Sequence, residues 1–251
     1  MKKILWGALI ACAISATALA PALAAPGAGN EVYGATVEAH EIELETRYGV
    51  LTGGPDKGAD NFRLEAGYGV NSHLKLAVVG EFEKEPGGTR KATHLGFEAV
   101  APLGKLAGIN VAAYAEYELG LNGTSNSVEA KLLLQKRPGP WDARFNLIGE
   151  KPLQSGQPLQ LSYAASVDRS VAKFLRLGIT GFGELGTFSH FLPTAEHYIG
   201  PELKFRIPLG DRDGDGDEDR GIWIQPSFLF PLGAARESST GQFRLNLEFG
   251  L

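Results

Sequence analysis

The chain has 251 residues, of which 43% are hydrophobic and 21% charged, a balance that excludes a disordered polymer. Its net charge of −5 argues against a nucleic-acid partner, and a single cysteine excludes an internal disulfide. The 33 glycines suit tight turns and a barrel wall with small side chains.

Taken in chain order, the first element is a leader. Lys2 and Lys3 form a basic start, an apolar run follows from Ile4, and Ala22-Leu23-Ala24 fits a small-x-small cleavage site. Residues 1–24 are therefore expected to be a signal peptide. A transmembrane anchor needs about 20 strongly apolar residues, whereas this run is Ala-rich and interrupted by Ser15, Thr17 and Pro21. "LIAC" at Leu9 to Cys12 offers a lipobox alternative, but the apolar run before it is very short. Residues 25–40 are expected to be a short periplasmic segment, and 41–251 a barrel.

From residue 41 the dominant signal is alternation with a period of two. "EIELETRYGV" sets Ile42, Leu44, Thr46, Tyr48 and Val50 against Glu41, Glu43, Glu45, Arg47 and Gly49. "FRLEAGYGV" repeats the pattern at 62–70, and "FRLNLEFGL" repeats it at 243–251. A helix cannot use this spacing, because its apolar residues must recur at three and four. Further strands are expected at 73–83, 92–101, 109–121, 127–136, 141–151, 158–168, 173–185, 196–207 and 222–231. Turn signals such as "EPGG", "LNGTSN", "RPGP", "QSGQ" and "PLG" separate them. The expected fold class is all-β: a transmembrane antiparallel up-and-down barrel of about twelve strands.

The alternative is a soluble β-sandwich with its apolar face turned inward. Three features favour the membrane. The strands are long, the polar face is densely charged, and aromatics (Tyr48, Tyr68, Trp141, Phe174, Phe230) sit near strand ends, as an interfacial girdle would. "LEAGYGV", "VGEFEKEPGG", "FEAV", "AEYELGL" and "EHYIGPELKF" resemble small proteobacterial outer-membrane β-barrels. These include uncharacterised transport barrels and relatives of the phenol-degradation-pathway barrel family. The resemblance implies a barrel in the outer membrane of a Gram-negative bacterium. Bilayer lipid would be its surroundings, and periplasmic chaperones and the barrel assembly machinery its partners during biogenesis. The last strand departs from the usual aromatic ending, since Gly250 and Leu251 follow Phe249.

Strand parity turns a set of charges into the lumen. The acidic members are Glu43, Glu45, Glu65, Glu81, Glu98, Glu116, Glu118, Glu129, Glu150, Glu184, Glu202 and Glu248. The basic members are Arg47, Arg63, Lys75, Lys131, Arg144, Arg176, Lys204, Arg206 and Arg244. Two readings follow: a salt-bridged structural core, or a selectivity surface around a narrow pore with a mild cation preference. Twelve strands lie between the filled eight-strand barrel and the open sixteen-strand porin. The expected function is a narrow pore or passive transporter for a small solute. A closed structural or adhesion barrel is the alternative, and a membrane hydrolase using Ser189, His190, Glu196 and His197 is a more remote one.

"GDRDGDGDEDRG", from Gly210 to Gly221, raises one metal question. Asp211, Asp213, Asp215, Asp217 and Asp219 fall at calcium-loop ligand positions, with Gly216 at the sharp turn. The closing position holds Ile222 where a bidentate Glu is required. Weak calcium binding, roughly 10⁻⁴–10⁻³ M, is the expectation, with no other cofactor.

Overall fold

A computed structural model describes residues 28–192, 195–209 and 221–250. Within them the chain forms twelve strands: β1 (Ile42–Thr52), β2 (Asp60–Asn71), β3 (Leu74–Lys84), β4 (Lys91–Leu106), β5 (Ile109–Gly120) and β6 (Ser127–Lys136), then β7 (Trp141–Pro152), β8 (Gln160–Ala172), β9 (Leu175–Gly186), β10 (Glu196–Pro208), β11 (Gly221–Gly233) and β12 (Gly241–Gly250). One short helix, α1 (Ala235–Ser238), precedes β12. Every strand pairs antiparallel with its chain neighbours, and β1 pairs with β12 from Glu43↔Gly250 to Thr52↔Gly241. The sheet is thus a closed barrel with no free edge, the one sheet form whose backbone can be satisfied in lipid.

The two faces of the wall decide between barrel and sandwich. In β1, Leu44 is 43% exposed while its neighbour Glu45 is 2% exposed, the reverse of a soluble strand. Leu64, Val78, Phe97, Leu132, Leu147, Ile179 and Ile199 likewise point out. A continuous apolar exterior of this extent is stable against hydrocarbon rather than water.

The connections differ at the two ends. At the end where β1 begins, residues 72–73, 107–108 and 173–174 suffice to reverse the chain. At the other end the links span 53–59, 85–90, 121–126, 153–159, 187–195 and 234–240. Strand positions follow the alternation closely, with two differences. β4 runs on to Leu106, past the turn expected at Pro102-Leu103-Gly104. A register shift between Pro102 and Gly104 absorbs the residue that lacks an N–H, and the turn falls at Ala107-Gly108, both with positive φ. β8 starts and ends later than expected, at Gln160 and Ala172.

A larger difference concerns the segment before β1. It was expected to lie outside the barrel, yet residues 28–37 are inside the lumen, where Ala28, Val32, Tyr33 and Ala35 are buried. Twelve strands enclose more space than their own inward side chains fill, and this extended thread takes up the remainder. The expected signal peptide and the acidic stretch Asp211, Asp213, Asp215, Asp217 and Asp219 lie outside the described residues. The bases of that acidic connection are held together, because Pro208 pairs with Gly221.

Candidate functional site: a threaded, charged lumen

The thread descends the barrel axis and turns into β1. Near the long-loop end, the Ala28 carbonyl lies against Gly49, where a Cβ would come within 1.8 Å of it. Near the short-turn end, the Glu38 carbonyl stands in the same relation to Gly69, at 1.9 Å. Glycine is required at both places because the thread's backbone touches the wall's backbone. The thread has no strand partner, so wall side chains replace the missing ladder. The Tyr33 N–H donates to Asn146 Oδ1 (2.7 Å), and Asn146 Nδ2 donates back to the Tyr33 carbonyl (3.1 Å). The Ala35 N–H donates to Gln135 Oε1 (3.1 Å). Arg144 donates to the Val32 carbonyl (3.1 Å), and Arg244 to the Asn30 carbonyl. The His40 N–H donates to the Gly69 carbonyl (2.6 Å), where the chain turns into β1.

Side chains of the thread join two apolar patches of the inner wall. Val32 packs with Leu51, Ile148, Ala164, Phe182, Tyr198, Leu229 and Ala235. Tyr33 and Ala35 pack with Val100, Ala112, Tyr114 and Leu133. The inner face is therefore polar around an apolar waist.

Charges fill the rest of the lumen. Arg47, 2% exposed, bonds Glu65, stands 3.6 Å from Glu45 and 4.0 Å from Glu31, and donates to the Tyr33 hydroxyl (3.0 Å). Lys75 joins Glu43 (2.8 Å) and Glu65 (3.1 Å). Arg63 joins Glu81 (2.8 Å) and lies 3.9 Å from Glu118. Lys131 pairs with Glu129 (2.8 Å) and sits 4.4 and 4.0 Å from the Tyr33 and Tyr114 ring centres. On the other side of the lumen, Asp142 holds Arg137 and Arg144, and Asp168 holds Arg176 and Lys204. Lys204 also reaches Glu202 (3.1 Å), and Gln225 donates to Glu248 (3.4 Å). Arg206 lies over Trp223, and Arg244 over Phe182. Glu150 shares the inward face of β7 with Asn146, and Glu184 that of β9 with Thr180 and Phe182.

One row stands out by register. Glu98 lies opposite Glu116, Glu116 opposite Glu129, and Glu129 opposite Glu150, so four adjacent strands carry a carboxylate in one row across the sheet. The Tyr33 hydroxyl donates to Glu98 (3.2 Å) and the Tyr114 hydroxyl to Glu116 (2.7 Å). Below the waist, a cavity of about 400 Å³ opens towards the short-turn end. Glu31, Glu43 and Glu248 line it together with Arg144, Arg176 and Lys204.

Several residues of this site escape an inventory of the strands' Glu, Lys and Arg: Glu31 and Tyr33, which precede β1, and Asn61, Tyr114, Gln135, Asp142, Asn146 and Asp168, which are of other types. Those on strands share the parity of the named charges and could be found by extending it. Tyr33, Ala35 and Val37 alternate with Gly34, Thr36 and Glu38, a short strand-like signal within the thread. Glu43, Glu45 and Glu65 come close enough to suggest a metal, but Lys75 and Arg47 already stand among them as counterions. Ser189 and His190 touch in an exposed loop (3.2 Å), whereas His197 meets Tyr163 instead (3.3 Å). Phe188, Phe191 and Leu192 are exposed at that loop's tip and do not plug the lumen.

A closed twelve-strand barrel with a charged interior can be compared directly with solved structures. The fold is that of the outer-membrane barrel porins. A KdgM porin in complex with disordered oligogalacturonate superposes with a TM-score of 0.56 at 8% identity, covering 84% of this chain and 99% of that one. The NanC porin gives 0.53 at 11% identity, covering 83% and 100%. The Acinetobacter baumannii outer membrane protein Omp33 gives 0.50 at 13% identity, covering 87% and 100%. No family model and no curated protein matches the chain by sequence. At these identities the likeness to the porins is one of architecture.

Proposed function

We propose that this protein is a narrow pore or passive transporter for a small solute in the outer membrane of a Gram-negative bacterium. The observation that carries the reading is a charged lumen with a 400 Å³ cavity open at one end, inside a wall that is apolar without. A purely structural barrel has no need of an ionised interior, which is costly to desolvate. The row Glu98, Glu116, Glu129 and Glu150 gives the lumen a local carboxylate excess, which favours cations over anions. The solute is thus cationic or neutral and small. Export would use the leader at 1–24, and folding would use periplasmic chaperones and the barrel assembly machinery, with lipid as the permanent partner. No catalytic role and no nucleic-acid partner belong to this reading. Weak calcium binding at Asp211, Asp213, Asp215, Asp217 and Asp219 is a separate, accessory proposal, tested by calorimetry on the folded barrel.

Planar-bilayer conductance tests the main reading. Discrete steps with cation selectivity are expected. Silence from protein shown to be folded would favour a closed structural barrel, a reading supported by the thread and the apolar waist that it completes.

A further inference from the structure

We infer that residues 28–40 are a gate: an axial thread that seals the lumen at rest and leaves through the short-turn end when the pore opens. The inference rests on the pore reading above and adds its regulation.

The seal is local. Val32 belongs to one buried apolar cluster with Ile148, Phe182, Tyr198 and Leu229, while Tyr33 and Ala35 belong to a second with Val100, Ala112 and Leu133. The large cavity lies on the short-turn side of this waist and is bounded by Tyr33, Gly34 and Thr36 of the thread itself. Passage from end to end therefore requires these residues to move.

The wall does not depend on the thread. All twelve strand pairings, including β1 with β12, are made between strands alone. The thread is held by side-chain bonds with Asn146, Gln135, Arg144, Arg244, Arg47 and Glu98 and by its two apolar clusters. Removing it breaks no ladder. The amides and guanidinium groups it would release can be hydrated once the lumen fills with water. The two apolar patches would then face water, which biases the resting state towards closure.

The route is fixed by topology. The thread is tethered at Ile42 and surrounded by a closed sheet, so it cannot leave sideways. It can only swing out past the mouth where it joins β1. His40, at that junction, has a φ of 69°, which places the bend at one residue.

A redox lock tests the gate. A Cβ on Gly29 would stand 3.3 Å from the Asn61 Cβ, just under the usual disulfide range of about 3.5–4.5 Å. The only native cysteine is Cys12, so no thiol competes from residue 28 onward. The double variant Gly29→Cys/Asn61→Cys should lose conductance when oxidised and regain it on reduction, in the same bilayer. A variant lacking residues 28–39 should stay open, with larger and steadier steps than the native barrel. If the oxidised and reduced double variant conduct alike, the thread is no gate, although the pore reading stands. If the deleted variant is folded and silent, the pore reading falls and the gate with it. If the deleted variant does not fold, the redox pair decides alone.

Discussion

The two sides of the lumen balance charge differently. Along β1–β5, single cations serve several carboxylates: Arg47 reaches Glu31, Glu45 and Glu65, Lys75 reaches Glu43 and Glu65, and Arg63 reaches Glu81 and Glu118. Along β7–β10, single carboxylates serve several cations: Asp142 holds Arg137 and Arg144, while Asp168 holds Arg176 and Lys204. The difference is one of redundancy. Loss of Arg47 leaves Glu45 with no cation and Glu65 with Lys75 alone, whereas loss of Arg176 leaves Asp168 still served by Lys204.

The comparison can be broken most sharply at Arg47. Arg47→Met should destabilise the folded barrel by about 3–5 kcal/mol, because Glu45 stays buried without a cation and Glu65 keeps only Lys75. Urea unfolding of the refolded barrel in detergent or liposomes reads this, and an unchanged midpoint would show that the acids find other partners. Asp168→Asn should cost less, about 1–3 kcal/mol, since Lys204 keeps Glu202 while Arg176 loses its only carboxylate contact among the described residues. Arg176→Met should cost under about 1 kcal/mol, because Lys204 still holds Asp168 and the arginine is partly exposed. If Arg176→Met proves as damaging as Arg47→Met, the contrast between the two sides is wrong. The smallest effect is on selectivity. Glu98→Gln with Glu116→Gln should leave stability nearly unchanged and move the reversal potential in a salt gradient towards zero. A reversal potential that does not move would place the selectivity surface elsewhere.

The outer wall was legible because lipid accepts one chemistry only. The expected span 127–136 coincides with β6, and 109–121 differs from β5 by one residue, since a polar residue on that face ends the pattern at once. Inward charges were legible by the same parity, but their pairing was not. In register Arg47 faces Arg63 and Glu45 faces Glu65, so a reading across strands pairs like with like. Long side chains resolve this by reaching diagonally, to a depth set by the whole barrel. Apolar inward residues such as Leu133, Ile148 and Phe182 were hidden because they contradict a polar lumen until the thread that covers them is known. The thread itself pairs with side chains rather than a strand, so it carries no hairpin partner and no turn signal to announce it. The bulge at Pro102 moved the end of β4 for a related reason: a proline that reads as a stop can be skipped by a register shift.

The position of the thread also constrains the order of events during assembly. It precedes β1, and β1 is the strand that β12 must find to close the wall. Once that last pairing forms, the enclosure is complete, and a segment left outside could enter only end-on. A thread already lying against β1 and β2, with its carbonyls on Gly49 and Gly69, is instead captured in the same step that completes the barrel. The final strand pairing is then both closure and loading, and a chain that closes without its thread begins in the open state and must load it through the mouth.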